Sequence, residues 1–163
     1  MNISVIIPTY NGQKYLPELL DRLKKQTISF ELIIIDSSSA DNTISIAQQY
    51  TNNIITIPQI EFDHGGTRTK AAKRASGDII IFLTQDAIPF DTFSVENILQ
   101  PFKNQKIVAA YGRQIPHKNA TLFAKHLRTF NYADTSYIRS LEDKKLFGIK
   151  TAFLSFLNKD NLS

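Results

Sequence analysis

The sequence predicts an α/β fold, an open, mainly parallel sheet with helices on both of its faces. Three observations point there. Short isoleucine-rich runs recur along the chain and are apolar on both faces, as strands buried under two layers are. Segments with apolar residues at helical spacing separate these runs, the order expected when crossover helices link parallel strands. At 163 residues and 42% hydrophobic content, with 11 Phe and 6 Tyr, the chain is about one domain long and can bury one sizeable core. No repeat, low-complexity segment or linker interrupts it.

"ISVIIP" (3–8) is a β-branched run closed by Pro8 and reads as the first strand. Leu16, Leu19, Leu20 and Leu23 then follow at i, i+3, i+4 and i+7, one face of a helix in which Pro17 is tolerated because it falls in the first turn. "ELIIID" (31–36) is the second strand. Asp41 or Asn42 can cap a second helix that carries Ile44, Ala47 and Tyr50 on one side. "NIITIP" (53–58) is the third strand. "GTRTKAAKRASG" (66–77) predicts a third helix, with Ala71 and Ala75 inward, Lys70, Lys73 and Arg74 outward, and Gly77 as its stop. "DIIIFL" (78–83) is the fourth strand and "IVAAYG" (107–112) the expected fifth. "TLFAKHLRTF" (121–130) reads as a helix, and the pattern then weakens.

With no cysteine there is no disulfide, thiolate nucleophile or Cys-ligated metal, and the cytosol is the natural compartment. The amino terminus has no basic stretch followed by a long apolar core, and no window reaches the roughly 18 apolar residues of a membrane span. Between Arg113 and Lys150, eight Lys or Arg face only Asp134, Glu142 and Asp143, so this segment holds the whole net charge of +4. Such a run either is a solvated face or meets phosphates or the anionic inner face of a membrane. No nucleic-acid-binding motif accompanies it. His64, His117 and His126 lack the spacing of metal ligands.

Ligands of open α/β sheets bind beyond the carboxyl ends of the strands, where strand order reverses. Three predicted strands end in polar residues there: "TYN" (9–11), Asp36 and Asp86. Asp36 opens the polar loop "DSSSADN", which also suits a turn or cap residue, and Asn11-Gly12 is a common turn pair. Asp86 needs more explanation, because Pro89 already ends the strand and a carboxylate beside a buried sheet is costly unless it meets a cation or donors. The dinucleotide fingerprint G-x-G-x-x-G is absent after the first strand, and so is the phosphate loop G-x-x-x-x-G-K-[ST]. The pattern instead permits one carboxylate that grips a nucleoside and another that holds a divalent cation on phosphate oxygens, with Arg68 and Lys70 adding positive charge.

"SVIIPTYNG", "ELIIIDSSSADNT" and "GGTRTKAAKRASGDIIIFLTQDAIP", in this order and at these spacings, resemble the donor-binding half of inverting family 2 glycosyltransferases, which have the nucleotide-diphospho-sugar transferase (GT-A) fold. The resemblance covers about residues 3–113. It divides the chain into a donor-binding domain, 1–113, and the start of an acceptor-side region, 114–163, expected to be incomplete. "FDHGGTR" and "TQDAIP" are similar, more narrowly, to bacterial rhamnosyltransferases that build O-antigen or capsular polysaccharide from dTDP-L-rhamnose.

The resemblance implies that Pro8, Thr9, Tyr10 and Asn11 line the nucleotide pocket and that Asp36 accepts from the pyrimidine N3–H. It implies that Arg68 approaches the base or diphosphate, and that Gln85-Asp86-Ala87 stands where the family has Asp-x-Asp. Asp86 would then contact a metal, Mg²⁺ or Mn²⁺, or the ribose. His64 either contacts the sugar or is an exposed loop histidine. The implied partners are a nucleotide-diphospho-sugar, dTDP-rhamnose ahead of a UDP-sugar, and a glycan or lipid-linked acceptor. The implied reaction is a direct displacement at the anomeric carbon. Asp134, Glu142 and Asp143 are available carboxylates, but none lies in a recognisable acceptor-base motif, so the catalytic base is unassigned. Two readings stay open: a cytoplasmic glycosyltransferase acting on a growing surface glycan, and a truncated, catalytically silent module that binds a nucleotide-sugar.

Overall fold

The structure is a computed structural model that describes residues 1–116, 119–132, 135, 138 and 156–158. The chain folds as two compact units, Met1–Ala110 with Leu154–Ser163, and Tyr111–Phe153. The first unit holds the sheet. Its elements are β1 (Ile3–Thr9), α1 (Leu16–Lys24), β2 (Glu31–Asp36), α2 (Thr43–Ala47), β3 (Ile54–Thr56), α3 (His64–Ala72), β4 (Ile79–Phe82), α4 (Ser94–Leu99) and β5 (Phe156–Asn158). Strand order is β3-β2-β1-β4-β5, parallel except that β5 runs antiparallel to β4. The order reverses at β1, which lies between β2 and β4.

Both faces of the strands are buried, as their unbroken isoleucine runs require. Val5, Ile7, Ile34, Ile79 and Ile81 point to one side, under Leu16, Leu19, Leu20 and Leu23 of α1, Ala47 of α2 and Val95 of α4. Ile6, Ile33, Ile35, Ile80 and Phe82 point to the other, where Ala71 and Ala72 of α3 and the following Ala75 present side chains small enough for the chain to lie close. Each fully buried Leu or Ile contributes about 1.5–3 kcal/mol relative to exposure. At the amino ends of the strands Glu31 ties three segments together. It accepts from the Ser4 hydroxyl at 2.5 Å, from Ser76 N–H at 2.8 Å and from Asn53 Nδ2 at 3.0 Å.

Three expectations need correction. Residues 107–112 form no strand, and Val108 and Tyr111 are exposed. The position beside β4 belongs to β5, which pairs through Ile79↔Asn158, Ile80↔Leu157 and Ile81↔Phe156. Helix α3 begins at His64, two residues before the predicted start, because the Asp63 side chain caps it by accepting from Gly66 N–H. It ends at Ala72, so Gly77 is not its stop. The role of Gly77 is steric: a β-carbon there would lie 2.5 Å from Ser4 N and 2.8 Å from Ile3 C, inside the β1 backbone.

In the second unit, α5 (Leu122–Asn131) is capped by Thr121, whose hydroxyl accepts from Ala124 N–H at 3.2 Å. Its Leu122, Phe123 and Phe130 are exposed. No helix among the described residues is long and apolar enough to cross a membrane.

Candidate functional site

The parallel register sets Thr9 directly beside Asp36 at the carboxyl ends of β1 and β2. Asp36 is fully buried, and its carboxylate faces inward to protein donors. Oδ1 accepts from the Thr9 hydroxyl at 2.8 Å and the Ser39 hydroxyl at 2.6 Å, and Oδ2 accepts from Ser39 N–H at 2.8 Å. The backbone is stitched as well: Ser37 N–H donates to Thr9 O at 2.9 Å and Ile57 N–H to Asp36 O at 2.8 Å. Beside this satisfied group, the Ser37 hydroxyl is buried and makes no hydrogen bond among the described residues.

The loops that leave β1 and β2 are laced together. Asn11 and Ser38 are the two non-glycine residues with positive φ among the described residues, 46° and 58°, a conformation that turns the chain sharply at each strand tip. Asn11 N–H donates to Ser39 Oγ at 2.9 Å, and Asn11 Oδ1 accepts from Ala40 N–H at 2.9 Å. Gly12 N–H donates to Thr43 Oγ1 at 2.7 Å, and Gln13 N–H to Asp41 Oδ2 at 3.0 Å. Asn42 holds the cap position of α2 without a side-chain bond, and Asp41 does the capping by accepting from Thr43 N–H at 3.0 Å. Burial pulls the Asp41 carboxyl upward, but hydrogen bonds from the Thr43 hydroxyl and from Gln13 and Thr43 N–H outweigh it and hold it below the ordinary aspartate value.

Beyond β4 the chain turns at Thr84–Ala87, closed by Ala87 N–H to Thr84 O at 3.0 Å. Gln85 reaches across to β1: its Oε1 accepts from Tyr10 N–H at 3.0 Å and its Nε2 donates to Tyr10 O at 3.2 Å. Asp86 is exposed, and its carboxylate has no hydrogen-bond or ion-pair partner among the described residues. On α3, Arg68 is half-buried and donates to the His64 carbonyl at 2.7 Å; no carboxylate pairs with it among the described residues. Burial lowers its guanidinium from the ordinary arginine value. Lys70 instead meets Glu61 at 3.6 Å on the surface. His64, also exposed, packs edge-on against Phe62 at 5.0 Å.

The structure therefore brings Thr9, Tyr10, Asn11, Asp36 and Gln85 into one hydrogen-bonded rim, with Pro8 half-buried behind it and Asp86 and Ala87 in the adjoining turn. Arg68 joins the rim through no direct bond among the described residues. His126 lies on α5, stacked on Phe130, while His117, Asp134, Glu142 and Asp143 lie outside the described residues. Ser39 and Thr43 were not singled out from the sequence, and Gly12 and Asp41 only as a turn residue and a helix cap, although "NG" and "SSSADNT" carry the short polar side chains that bond to nearby backbone. Among the described residues no three His, Asp or Glu side chains cluster as a metal site. A Mg²⁺ or Mn²⁺ that takes most of its oxygens from a diphosphate and water needs only one or two protein carboxylates, and the free Asp86 fits that arrangement.

The fold is that of the GT-A glycosyltransferases, and the chain belongs to glycosyl transferase family 2, which it matches over residues 4–162. It is 46% identical over 158 residues to the O-antigen chain rhamnosyltransferase RfbN of Salmonella typhimurium, covering 95% of this chain and 50% of that protein. It is 47% identical over 157 residues to the O-antigen chain rhamnosyltransferase WbaN of Salmonella anatum, covering 94% of this chain and again 50% of the relative. The chain thus spans about half the length of these curated relatives. Among solved structures, residues 1–349 of Staphylococcus aureus TarS in complex with UDP-GlcNAc superpose with a TM-score of 0.54 at 29% identity, over 72% of this chain and 37% of that one. A Pyrobaculum calidifontis mannosyltransferase in complex with GDP-Man and Mn²⁺ shares the fold, with a TM-score of 0.59 at 22% identity over 66% of this chain and 34% of that one.

Proposed function

We propose that residues 1–113 bind the nucleotide-diphosphate part of a sugar donor on the rim between β1 and β4, with 114–163 contributing to the acceptor side. In the whole protein this site would serve transfer of a sugar, rhamnose first, with inversion to a growing surface polysaccharide or lipid-linked glycan. The observation that carries the reading is that the rim falls at the reversal of strand order and leaves Asp86, next in the chain to the Gln85 that bonds Tyr10, as a carboxylate unpartnered among the described residues, in a chain so similar to two O-antigen rhamnosyltransferases. dTDP-rhamnose is the favoured donor and a UDP-sugar the second.

In this reading Pro8, Thr9, Tyr10 and Asn11 form the floor of the nucleotide pocket. Asp36 holds that floor through Thr9 and Ser39, and whether it also reads the pyrimidine N3–H is decided by mutation. Arg68, half-desolvated and without a carboxylate partner among the described residues, is suited to the diphosphate. Gln85 and Ala87 shape the turn, and Asp86 supplies one oxygen to Mg²⁺ or Mn²⁺. Such a cation offsets the charge that grows on the departing nucleoside diphosphate. The acceptor hydroxyl forms the new bond to the anomeric carbon as the bond to the diphosphate oxygen breaks. Its proton passes to an acceptor-side base, which is unassigned. The site of action would be the cytoplasm, with the basic 113–150 segment turned to the inner membrane face.

A second reading, nucleotide-sugar binding without transfer, has in its favour that the chain spans only half of its relatives' length. Thermal-shift assays with dTDP-rhamnose, UDP-GlcNAc, GDP-mannose and no ligand, each with and without Mn²⁺, test the proposal. A ligand that binds the native state alone raises its apparent stability. dTDP-rhamnose is expected to give the largest shift and GDP-mannose none. No shift with any pyrimidine donor would overturn both readings. A shift without turnover of an acceptor when the chain is tested alone would favour the second.

A further inference from the structure

We propose that Gln85 is a positioning residue, a two-way latch that fixes the tip of β1 against the turn carrying Asp86. The β1–β4 ladder has its last paired residues at Ile6 and Phe82, followed by Leu83 N–H to Ile6 O at 3.0 Å. Past that point β4 has ended, no ladder pair joins it to β1, and Ile7 to Thr9 pair with β2 alone. A crevice between two strand ends that no longer share hydrogen bonds has no fixed width. Gln85 restores the missing pair with its side chain, receiving Tyr10 N–H and donating to Tyr10 O. This is the two-bond exchange that opposed residues of an antiparallel ladder make, supplied here by a side chain at the end of a parallel one.

Only a carboxamide can do this in one plane, since it carries an acceptor and a donor side by side, whereas a carboxylate would set oxygen against the Tyr10 carbonyl. The neighbouring glycine has the same explanation. A β-carbon on Gly12 would lie 2.6 Å from Gln85 Oε1 and 3.2 Å from its Cδ, so Gly12 is the gap into which the amide fits. Gln85 and Gly12 are thus one device. It also fixes what the turn offers to a ligand: Oε1 is taken up by Tyr10 N–H, and the next side chain, Asp86, is the one left free.

The consequence for nucleotide affinity rests on the donor-site reading, but the latch can be tested without it. Backbone exchange of the Tyr10 amide, followed by NMR or mass spectrometry, is expected to rise about tenfold in Gln85→Ala, the scale of one lost hydrogen bond. Gln85→Met, of similar length without polar atoms, should behave alike and guards against a folding defect peculiar to alanine. Gly12→Ala, which displaces the amide, should open Tyr10 as Gln85→Ala does, and the double variant should be no more open than Gln85→Ala alone. The same non-additive pattern is expected in the dissociation constants for dTDP or UDP, with about a tenfold loss in each single variant. Additive effects of the two substitutions, or an unchanged Tyr10 amide in both Gln85 variants, would overturn the latch. A parent chain that binds neither nucleotide would overturn the donor-site reading and leave the exchange measurements to judge the latch.

Discussion

Replacing Asp36 by alanine tests whether the tip of β2 is built as the hydrogen bonds indicate. The parent carboxylate takes three donors in a fully buried site: the Thr9 and Ser39 hydroxyls and the Ser39 N–H. The hydroxyls can rotate in search of other acceptors, but the Ser39 N–H cannot, and an orphaned buried donor costs about 1–3 kcal/mol. Adding loss of the two hydroxyl bonds at about 0.5–1.5 kcal/mol each gives an expected destabilisation of about 2–6 kcal/mol. That is a large part of the roughly 5–15 kcal/mol usual for a domain. With a urea m-value of about 2 kcal/mol per M, a mid-range loss of about 4 kcal/mol moves the unfolding midpoint down by about 2 M without changing m. Asp36→Asn should lose less, because a flipped amide can still accept from Ser39 N–H while its amino group donates to the hydroxyl oxygens. A destabilisation below about 1 kcal/mol for Asp36→Ala, with nucleotide binding lost all the same, would refute the structural assignment and return Asp36 to direct contact with the base.

Asp86→Ala is expected to abolish any Mn²⁺-dependent gain in dTDP affinity while leaving the unfolding midpoint of the free chain unchanged or raised, because its carboxylate has no partner to lose among the described residues; calorimetric titration and urea denaturation of one variant report both. Gly77→Ala should cost about 1–3 kcal/mol, since its β-carbon would press on Ser4 N and Ile3 C, and the same denaturation assay measures it. The Glu31 carboxyl is drawn upward by burial, but hydrogen bonds from Ser4, Ser76 and Asn53 hold it below the ordinary value, as donors also do for Asp41. A depressed folded-state pKa contributes stability above the unfolded value of about 4 and loses it as pH falls through the folded one. Unfolding midpoints should therefore hold steady from about pH 7 to about pH 5 on account of these groups and drop below about pH 4, with a shallower acid limb in Glu31→Gln.

The parallel core was legible because isoleucine runs buried on both faces leave few alternatives, and the leucine spacing of α1 revealed its inner face directly. "IVAAYG" misled because an apolar run looks the same whether or not a place in the sheet is open to it, and the place beside β4 is filled by residues 156–158, far along the chain. The start of α3 was hidden by its two glycines, poor helix formers that are tolerated next to a capping Asp63. At the site, the strand tips could be located but not their bonding. That Asp36 turns inward to Thr9 and Ser39 depends on register across β1 and β2, and that Gln85 reaches Tyr10 depends on a contact between residues 75 positions apart. Neither is written in local sequence.

The claim that the rim holds a nucleoside diphosphate is tested most directly by calorimetric titration of the chain with dTDP and with thymidine at low and high salt. A diphosphate subsite predicts tighter binding of dTDP, a gap that narrows as salt screens the phosphate charge, and loss of most of that gap in Arg68→Met. Equal affinity for nucleoside and nucleoside diphosphate at low salt would contradict it.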